Sequence, residues 1–426
     1  MSLGRPTLAI SAAKSADGDY PIRLFAAGFV VLIVATWPLW IPQSVFPQVP
    51  LVLVASDVPR SAEWGLLVTL LISLLSAVFV QREEIRRLAC VFVGLTTLSL
   101  VMIDQHRFQP WAWQFVILSF VFALADDSTV KICWRWLVIS IYAWSAWSKM
   151  DQGFVDGHGR FLLDGLFRSV GFIKGIETYP EAVIRYLTAV IPLFELLVAI
   201  GLCWNRTRFL AVIGAAIIHT ALLLALGPFG HRHQPGVLIW NFFFLIQNGI
   251  LFLRTSSSQP FSPTNSIGSP IQFGNRLASL LVVSAIIWPS LESFGLCDHW
   301  PAWAVYAAKP ERVTVFVHSD DLSKLPESLR QYLGHQLVID DSHPLRIDRW
   351  SLDALYVPIY PQDRFQVGVA LSLARQFDLN QIQVVVEGPA DRWTGKRAIQ
   401  RYVGIEPLNT LSNSYRCNAQ PKMGRF

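Results

Sequence analysis

Long, predominantly apolar runs recur along most of the chain. The first covers residues 24–41 (LFAAGFVVLIVATWPLWI). About 20 apolar residues cross a bilayer, and no small-x-small cleavage site follows, so we interpret this run as a membrane span rather than as a signal peptide. Similar runs follow at residues 64–80, 88–103, 111–125, 132–148, 182–204, 209–227, 236–253 and 277–294. The pattern predicts about nine membrane-spanning helices in a domain of residues 23–295, after a polar cytoplasmic tail of residues 1–22.

The composition narrows the class of protein. Of the 426 residues, 53% are apolar and only 15% are charged, whereas an average soluble domain has about 25% charged residues. The chain is therefore neither disordered nor a single water-soluble globule. The fold class that we predict is an all-α polytopic bundle in a lipid bilayer. The net charge of +5 comes without a basic stripe interleaved with stacking aromatics, which argues against nucleic-acid binding.

Basic residues are concentrated in the segments between alternate spans. With a cytoplasmic N-terminus, the inside segments hold Arg5, Lys14, Arg23, Arg82, Arg86, Arg87, Lys131, Arg135, Arg206, Arg208, Arg254 and Arg276. The short outside loops hold Arg60, Arg107 and Arg232. Because cytoplasmic loops carry the excess of Lys and Arg, we expect the N-terminus inside and, after an odd number of spans, the C-terminus outside.

The composition becomes more polar after the last span, which itself follows a Ser/Pro-rich linker at residues 255–275. Runs rich in β-branched residues predict strands at 313–317, 335–339 and 382–387. A 3.6-residue periodicity predicts helices at 325–333 and 363–377. We therefore expect residues 296–426 to form a small extracytoplasmic α+β domain. In an oxidising compartment, Cys297 and Cys417 either pair as a disulfide or stay as free thiols.

Two ionisable residues lie inside predicted spans. Glu195 and His219 are about equally far from the short turn at 205–208, so an antiparallel hairpin places them level with each other. Ionisable groups inside a membrane are functional candidates, and a carboxylate beside an imidazole can bind or relay a proton. The alternative is interhelical hydrogen bonding that only satisfies two polar groups. Such bonding is also the expected role of Asn241 and Asn248, which share one face of the next span.

Two loops on the predicted outer face contain further ionisable residues. In the segment YAWSAWSKMDQGFVDGHGRF at 142–161, Lys149 is either an interfacial lysine that extends into water or a partly buried amine that acts as a base. In the loop GHRHQPG, His231 and His233 are two residues apart. They share one ion only in an extended conformation, so we predict no metal site.

A third segment on that face, MIDQHRFQPWAWQF at 102–115, has polar residues around a helix start, since proline is favoured in the first helical turn. We expect Asp104 to form an ion pair with Arg107. Because this segment and the Lys149 loop lie on the same face, Asp104, His106 and Trp111 are candidates for binding a cofactor.

The segment SKMDQGFVDG at residues 148–157 resembles the membrane domain of vitamin K-dependent γ-glutamyl carboxylases and their bacterial relatives, the horizontally transferred transmembrane (HTTM) family. The residues that match the carboxylase motif are Lys149, Asp151, Phe154, Val155, Asp156 and Gly157. An acidic residue in a span, a short basic turn and a span with a histidine follow in the same order. The resemblance covers roughly residues 20–295 and implies a bacterial inner-membrane location. DoxX/MauE-type membrane proteins show a weaker resemblance.

In the carboxylases, the lysine of this motif is the base that deprotonates the vitamin K hydroquinone. The resemblance therefore implies that Lys149 is a catalytic base, that Glu195 and His219 belong to the same site, and that the cofactor is a quinone-like molecule. The sequence departs from the family at DQHRFQPWAW (104–113), where Pro-Trp replaces an Asn-His pair. The soluble part is also much shorter than that of the carboxylases.

Two hypotheses follow. In the first, the protein is a carboxylase-like or redox-associated membrane enzyme with an apolar, outward-facing pocket for a quinone or another lipid-like substrate. It predicts that Lys149 is partly buried against residues 104–113. In the second, the protein is a non-catalytic membrane component whose outer domain binds a protein partner. It predicts a solvated Lys149 and a tightly packed bundle without a cavity. A transporter is disfavoured, because the sequence shows no internal repeat and no paired broken helices.

Overall fold

The computed structural model describes residues 7–171, 175–253, 270–336 and 340–422, and 67% of it is helical. The helices before residue 295 are α1 (Thr7–Ala35), α2 (Trp37–Trp40), α3 (Arg60–Phe79), α4 (Glu83–Ile103), α5 (Pro110–Leu124), α6 (Asp127–Ser148), α7 (Gln152–Asp156), α8 (His158–Ser169), α9 (Glu181–Cys203), α10 (Arg208–Leu226), α11 (Pro235–Asn248) and α12 (Pro270–Ile287). A π-helical turn, Gly249–Leu253, extends α11, and a 3₁₀ segment, Trp288–Phe294, extends α12.

Six helices in the described part of the chain are long and apolar enough to cross a membrane, as in a multi-pass membrane protein. They are α3, α4, α9, α10 and the extended α11 and α12. All nine predicted runs contain helix, but the count of nine spans is not confirmed. The apolar helices Tyr20–Ala35 and Pro110–Leu124 are shorter than the six. Helix α6 carries Asp127, Lys131 and Arg135 near its start.

The loop predicted after the fifth span folds largely as two short helices. Helix α6 ends at Ser148, and Lys149 caps its C-terminus. Asp151 then caps α7 by accepting a hydrogen bond from the Phe154 amide, since a carboxylate at this position satisfies an otherwise unpaired N–H. Helices α7 and α8 both pack against α9, and α8 also packs against α10. Lys149 is therefore followed by the packed helices α7 and α8 rather than by an open loop.

Helices α9 and α10 form an antiparallel hairpin whose two chains are in close contact next to the connecting turn. A Cβ atom on Gly201 would lie 2.9 Å from the Ala211 Cβ, and one on Gly214 would lie 2.9 Å from a Val198 methyl carbon. Both distances are too short for a real Cβ. The two glycines therefore allow the backbones to approach, as small residues do at membrane helix interfaces.

The C-terminal part contains a four-stranded antiparallel sheet in the order β2-β1-β3-β4. Its strands and helices are β1 (Arg312–His318), α13 (Glu327–Arg330), β2 (Ser342–Leu345), α14 (Ile347–Leu355), α15 (Asp363–Gln376), β3 (Gln383–Glu387), β4 (Ile399–Val403) and α16 (Ile405–Ser414). Helix α15 is buried along most of its length and packs on β1 and β3. Its Gly368 lies against Val49 of the first part, where a Cβ would be 2.9 Å from the valine methyl groups. The α15 helix thus lies between the sheet and the helical bundle.

In the C-terminal part, the predicted strands at 313–317 and 382–387 and the predicted helix at 363–377 are confirmed. The strand predicted at 335–339 and the helix predicted at 325–333 are not. Of the predicted strand 335–339, residues 337–339 lie outside the described residues, and the first two are not in a strand. One of the two strands that pair with β1 is Ser342–Leu345, which begins three residues after the predicted strand ends. The helix predicted at 325–333 is only the single turn α13, because Leu325 and Pro326 precede it in extended conformation.

Two further expectations concern the cysteines and the linker. Cys297 is a buried free thiol and Cys417 an exposed one, so of the two alternatives for this pair the structure has the free thiols. The linker was expected to reach residue 275, but α12 already begins at Pro270, since proline suits a first helical position. Residues 255–269 of the predicted linker lie outside the described part of the chain.

The 3₁₀ turn Gln105–Arg107 is one place where the helical bundle is hydrogen-bonded to the C-terminal part. The Gln105 amide donates to the carbonyl oxygens of Pro50 and Asn418, and its oxygen accepts a hydrogen bond from Arg364. Arg364 in turn forms a bidentate ion pair with Asp298. These bonds connect three distant parts of the sequence at one buried point, and they fix the C-terminal part over one end of the bundle.

Candidate functional site

A cavity of about 790 Å³ lies between the helical bundle and the C-terminal part. Helices α5, α6, α8, α9, α10 and α11 line it on one side, and residues between Trp300 and Gln366 line it on the other. Most of the lining is apolar, and a small number of polar side chains reach it. This combination is typical of sites for small apolar molecules.

Lys149 and Glu195 form a buried ion pair in the wall of this cavity. The Lys149 Nζ lies 2.8 Å from Glu195 Oε2, and the two side chains are 8% and 12% exposed. Nζ also donates to the hydroxyl of Ser145, one helical turn earlier on α6. An ammonium group has three donors, and the described residues accept from two of them. Lys149 is therefore buried, as the first hypothesis expects, but its hydrogen-bond partners are Ser145 and Glu195 rather than residues 104–113. Trp111 of that segment lines the same cavity.

His219 lies in the same cavity wall, within a chain of hydrogen bonds whose directions are fixed. The Asn241 Nδ2 donates to the Val237 carbonyl, so the Asn241 Oδ1 is the atom that accepts from His219 Nδ1, at 2.8 Å. The neutral imidazole then accepts at Nε2 from the Tyr142 hydroxyl. The Tyr142 oxygen in turn accepts from Asn248 Nδ2 at 2.7 Å. His219 is thus held as its Nδ1–H tautomer by α6 and α11.

The expected contact between Glu195 and His219 is not formed. Glu195 is paired with Lys149, and His219 with Tyr142 and Asn241. The turn places the two residues at similar depth, as predicted, but their side chains meet different helices. The interhelical hydrogen bonding expected of Asn241 and Asn248 is confirmed.

The three candidate cofactor-binding residues of segment 102–115 separate in space. Trp111 lines the cavity, whereas Asp104 and His106 are absent from its lining. His106 is fully buried, and its Nε2 lies 3.1 Å from the Pro358 carbonyl oxygen, to which it donates. Its ring packs between Phe46 and Phe365. His106 therefore joins the bundle to the C-terminal part and does not face the cavity.

Asp104 caps the turn that contains His106. Its Oδ1 accepts from the His106 amide at 3.1 Å. Burial raises the pKa of the Asp104 carboxyl to about 7 and lowers the pKa of the His106 imidazole to about 3, because both charged forms lose their hydration. The expected ion pair between Asp104 and Arg107 is wrong, since Arg107 pairs with Glu63 at 3.0 Å.

Several residues of the site were not identified as candidates from the sequence. Ser145 and Tyr142 are ordinary residues of a Trp-rich span, and only their spacing from Lys149, at about one and two helical turns, marks them as neighbours.

In the described part of the chain, no three His, Cys, Asp or Glu residues are grouped to hold a metal ion. His231 stacks on Phe161, with ring centroids 3.8 Å apart.

The chain was compared with family models, with curated proteins and with solved structures, and no match was found in any of the three.

Proposed function

We propose that this chain is a multi-pass membrane enzyme that binds a quinone-like or other lipid-like molecule in the cavity and removes a proton from it with Lys149. The observation that carries the proposal is the buried Lys149–Glu195 ion pair in the wall of an apolar cavity of about 790 Å³. The resemblance of residues 148–157 to the carboxylase motif supports the same role for Lys149. In this proposal the N-terminus is cytoplasmic and the cavity lies toward the outer face.

The hydrogen bonds of the pair indicate how the amine becomes a base. In the ion pair, the Lys149 ammonium donates to Glu195 across 2.8 Å. Transfer of that proton to Glu195 leaves a neutral amine, which accepts a proton from a hydroxyl group in the cavity. The substrate then carries an oxyanion, Lys149 is an ammonium and Glu195 is a neutral acid. The oxyanion thus forms beside a positive charge in a place with little water, where such stabilisation is strongest.

The hydrogen-bond chain around His219 has a different part in this proposal. Its tautomer leaves Nε2 as an acceptor of the Tyr142 hydroxyl, so the imidazole does not compete with Lys149 for a proton at the start of the reaction. Tyr142, His219 and Asn241 all line the cavity. We assign them to positioning the polar head of the bound molecule.

The alternative is a membrane component that only binds a protein partner through its C-terminal part. That hypothesis expected a solvated Lys149 and a bundle without a cavity. The buried lysine and the cavity therefore favour the enzyme.

The test is mass spectrometry of small molecules extracted from protein purified in mild detergent. Wild type is compared with Lys149→Met and with Lys131→Met, a lysine of the same helix α6 that is not in the cavity lining. We expect a quinone or another lipid-like compound to be enriched with wild type and with Lys131→Met and depleted with Lys149→Met. Equal retention by all three proteins, at equal thermal stability, would contradict the role of Lys149.

A further inference from the structure

The hairpin of α9 and α10 is closed at one end and open at the other. Next to the connecting turn, Gly201 and Gly214 allow the helices to touch. On the far side of the contact between Gly214 and Phe194, the facing side chains line the cavity instead. These are Val190 and Phe194 on α9 and Ile217 and Ala221 on α10.

Two of these cavity-lining residues also lie on the outer surface of the protein. Val190 is 37% exposed and Ile217 is 55% exposed, and both line the cavity. A side chain that lines a cavity and is also strongly exposed marks a place where that cavity meets the surface. The cavity therefore opens between α9 and α10.

The opening faces lipid rather than water. Both helices are among the six that are apolar and long enough to span a membrane. Their neighbouring surface residues are apolar and exposed as well, with Leu193 at 52% and Ile213 at 44%. Large exposed apolar surfaces of this kind are stable only against another apolar phase. A molecule that enters between α9 and α10 comes from the hydrocarbon layer of the bilayer.

We propose that the ligand is an amphiphile with one long hydrocarbon chain and a compact polar head, and that it enters sideways between α9 and α10. The head lies at Lys149 and Glu195, and the chain extends through the opening into the bilayer. This arrangement keeps the apolar chain out of water throughout, so binding requires no transfer of the chain through an aqueous phase. The inference deepens the proposed function, because it names the class of ligand and the route by which it reaches Lys149.

The experiment uses the full chain in phosphatidylcholine vesicles that contain a hexadecyl-chain fatty acid with a mid-chain diazirine as the probe. After illumination, cross-linked peptides are located by mass spectrometry. Leu162 and Leu163 of α8 line the cavity and are buried, at 5% and 8% exposure, so only a chain inside the cavity labels them. We expect labelling of these two residues in wild type.

Tryptophan variants then test the route. In the double variant Val190→Trp/Ile217→Trp, the larger side chains fill the opening, and we expect the labelling of Leu162 and Leu163 to be lost. The control is Ile213→Trp, which lies on the same lipid-facing surface of α10 outside the cavity lining and should label like wild type. Interior labelling that persists in the double variant, or that is absent from wild type, would overturn the proposed route.

The outcome is separable from the test of Lys149 as a base. A route that fails while Lys149→Met still loses its extracted compound would leave the proposed function standing with another entrance. A route that holds while Lys149→Met retains the compound would leave a lipid site without that base.

Discussion

Two buried ion pairs of the helical bundle each join a carboxylate to a basic side chain but lie in different surroundings. Glu63 and Arg107 are 3.0 Å apart and both fully buried. Lys149 and Glu195 are 2.8 Å apart and nearly as buried, but a cavity lies beside them. The difference between the pairs lies in what surrounds each charge rather than in the charges themselves.

Arg107 is poorly suited to proton transfer, because its guanidinium stays protonated and it is not in the lining of the cavity. Besides Glu63, its guanidinium donates to the carbonyl oxygens of Leu39, Ile41 and Leu100, so four hydrogen bonds to described residues hold it. The planar, rigid guanidinium of Arg107 suits such a fixed set of acceptors. Lys149, in contrast, has a compact ammonium that can give up its proton when buried, and it lies in the cavity wall. A buried charge in a membrane bundle is therefore a functional candidate only where open space for a ligand lies beside it.

The largest effect is expected from breaking the fully buried ion pair of Glu63 and Arg107. Arg107→Met leaves the Glu63 carboxylate buried without its cation, and we expect the free energy of unfolding to fall by about 3 to 5 kcal/mol. The control is Arg87→Met, since the pair of Arg87 with Glu83 lies on the surface and contributes roughly 0.5 kcal/mol. Thermal unfolding in detergent measures both. Similar unfolding midpoints for the two variants would contradict the structural role of Arg107.

The pH dependence of the free energy of unfolding tests whether Asp104 and His106 have a structural role. The pKa of Asp104 is raised to about 7 in the fold, so its contribution to stability is fully present below its unfolded pKa and is lost as pH rises through about 7. His106, with its pKa lowered to about 3, acts in the opposite direction and is destabilising at acidic pH. Between about pH 4, the pKa of an unfolded Asp, and about pH 7, the free energy of unfolding of wild type should fall relative to that of Asp104→Asn. The fall should be up to about 1.4 kcal/mol per pH unit.

Thermal unfolding of wild type and Asp104→Asn at about pH 5 and about pH 8 checks this expectation. The two proteins should be closest at the lower pH, with the variant the more stable at the higher one. Parallel changes in both proteins would show that Asp104 does not titrate in this window.

A double-mutant cycle compares the two ion pairs directly. Glu195→Leu alone strands the Lys149 ammonium, and we expect a cost of about 1 to 3 kcal/mol. Adding Lys149→Met should recover most of it, because apolar residues can replace a buried pair. Adding Glu63→Leu to Arg107→Met should recover less, because the three hydrogen bonds that Arg107 donates to backbone carbonyl oxygens stay lost. The unfolding midpoints of wild type, the four single variants and the two double variants decide, and equal recovery would remove the distinction between the pairs.

The smallest effect concerns the hydrogen-bond chain around His219. Tyr142→Phe removes one hydroxyl from this chain, and we expect a loss of about 1 kcal/mol in the free energy of unfolding. Tyr306→Phe is the matched control, because the Tyr306 hydroxyl is buried without a hydrogen-bond partner among the described residues. Its removal should be neutral or stabilising. If both variants unfold like wild type, the chain contributes nothing measurable to stability.

Periodicity and composition predicted the helical class, the position of each apolar helix and three elements of the C-terminal part. They predicted a span at 132–148, but α6 is not among the six helices that are long and apolar enough to cross a membrane. They also misplaced β2, since the edge strand at Ser342–Leu345 contains Pro344, a residue that is confined to edge strands and that weakens the sequence signal for a strand.

The partners of the ionisable residues could not be predicted in the same way. Sequence spacing placed Glu195 and His219 at similar depth, but depth does not determine the direction in which a side chain points. The rotation of α9 and α10 about their axes is set by close packing at Gly201 and Gly214. That rotation directs Glu195 to Lys149 on α6 and His219 to Tyr142.

The sequence by itself determined that the chain belongs in a membrane and which residues are unusual there, because hydropathy and the cost of a charge in lipid are properties of each residue and its near neighbours. Only the tertiary structure decided that Arg107 is sealed among backbone carbonyls while Lys149 borders a cavity. Whether a buried charge borders a cavity depends on atoms supplied by helices far apart in the sequence, and no local pattern contains that information.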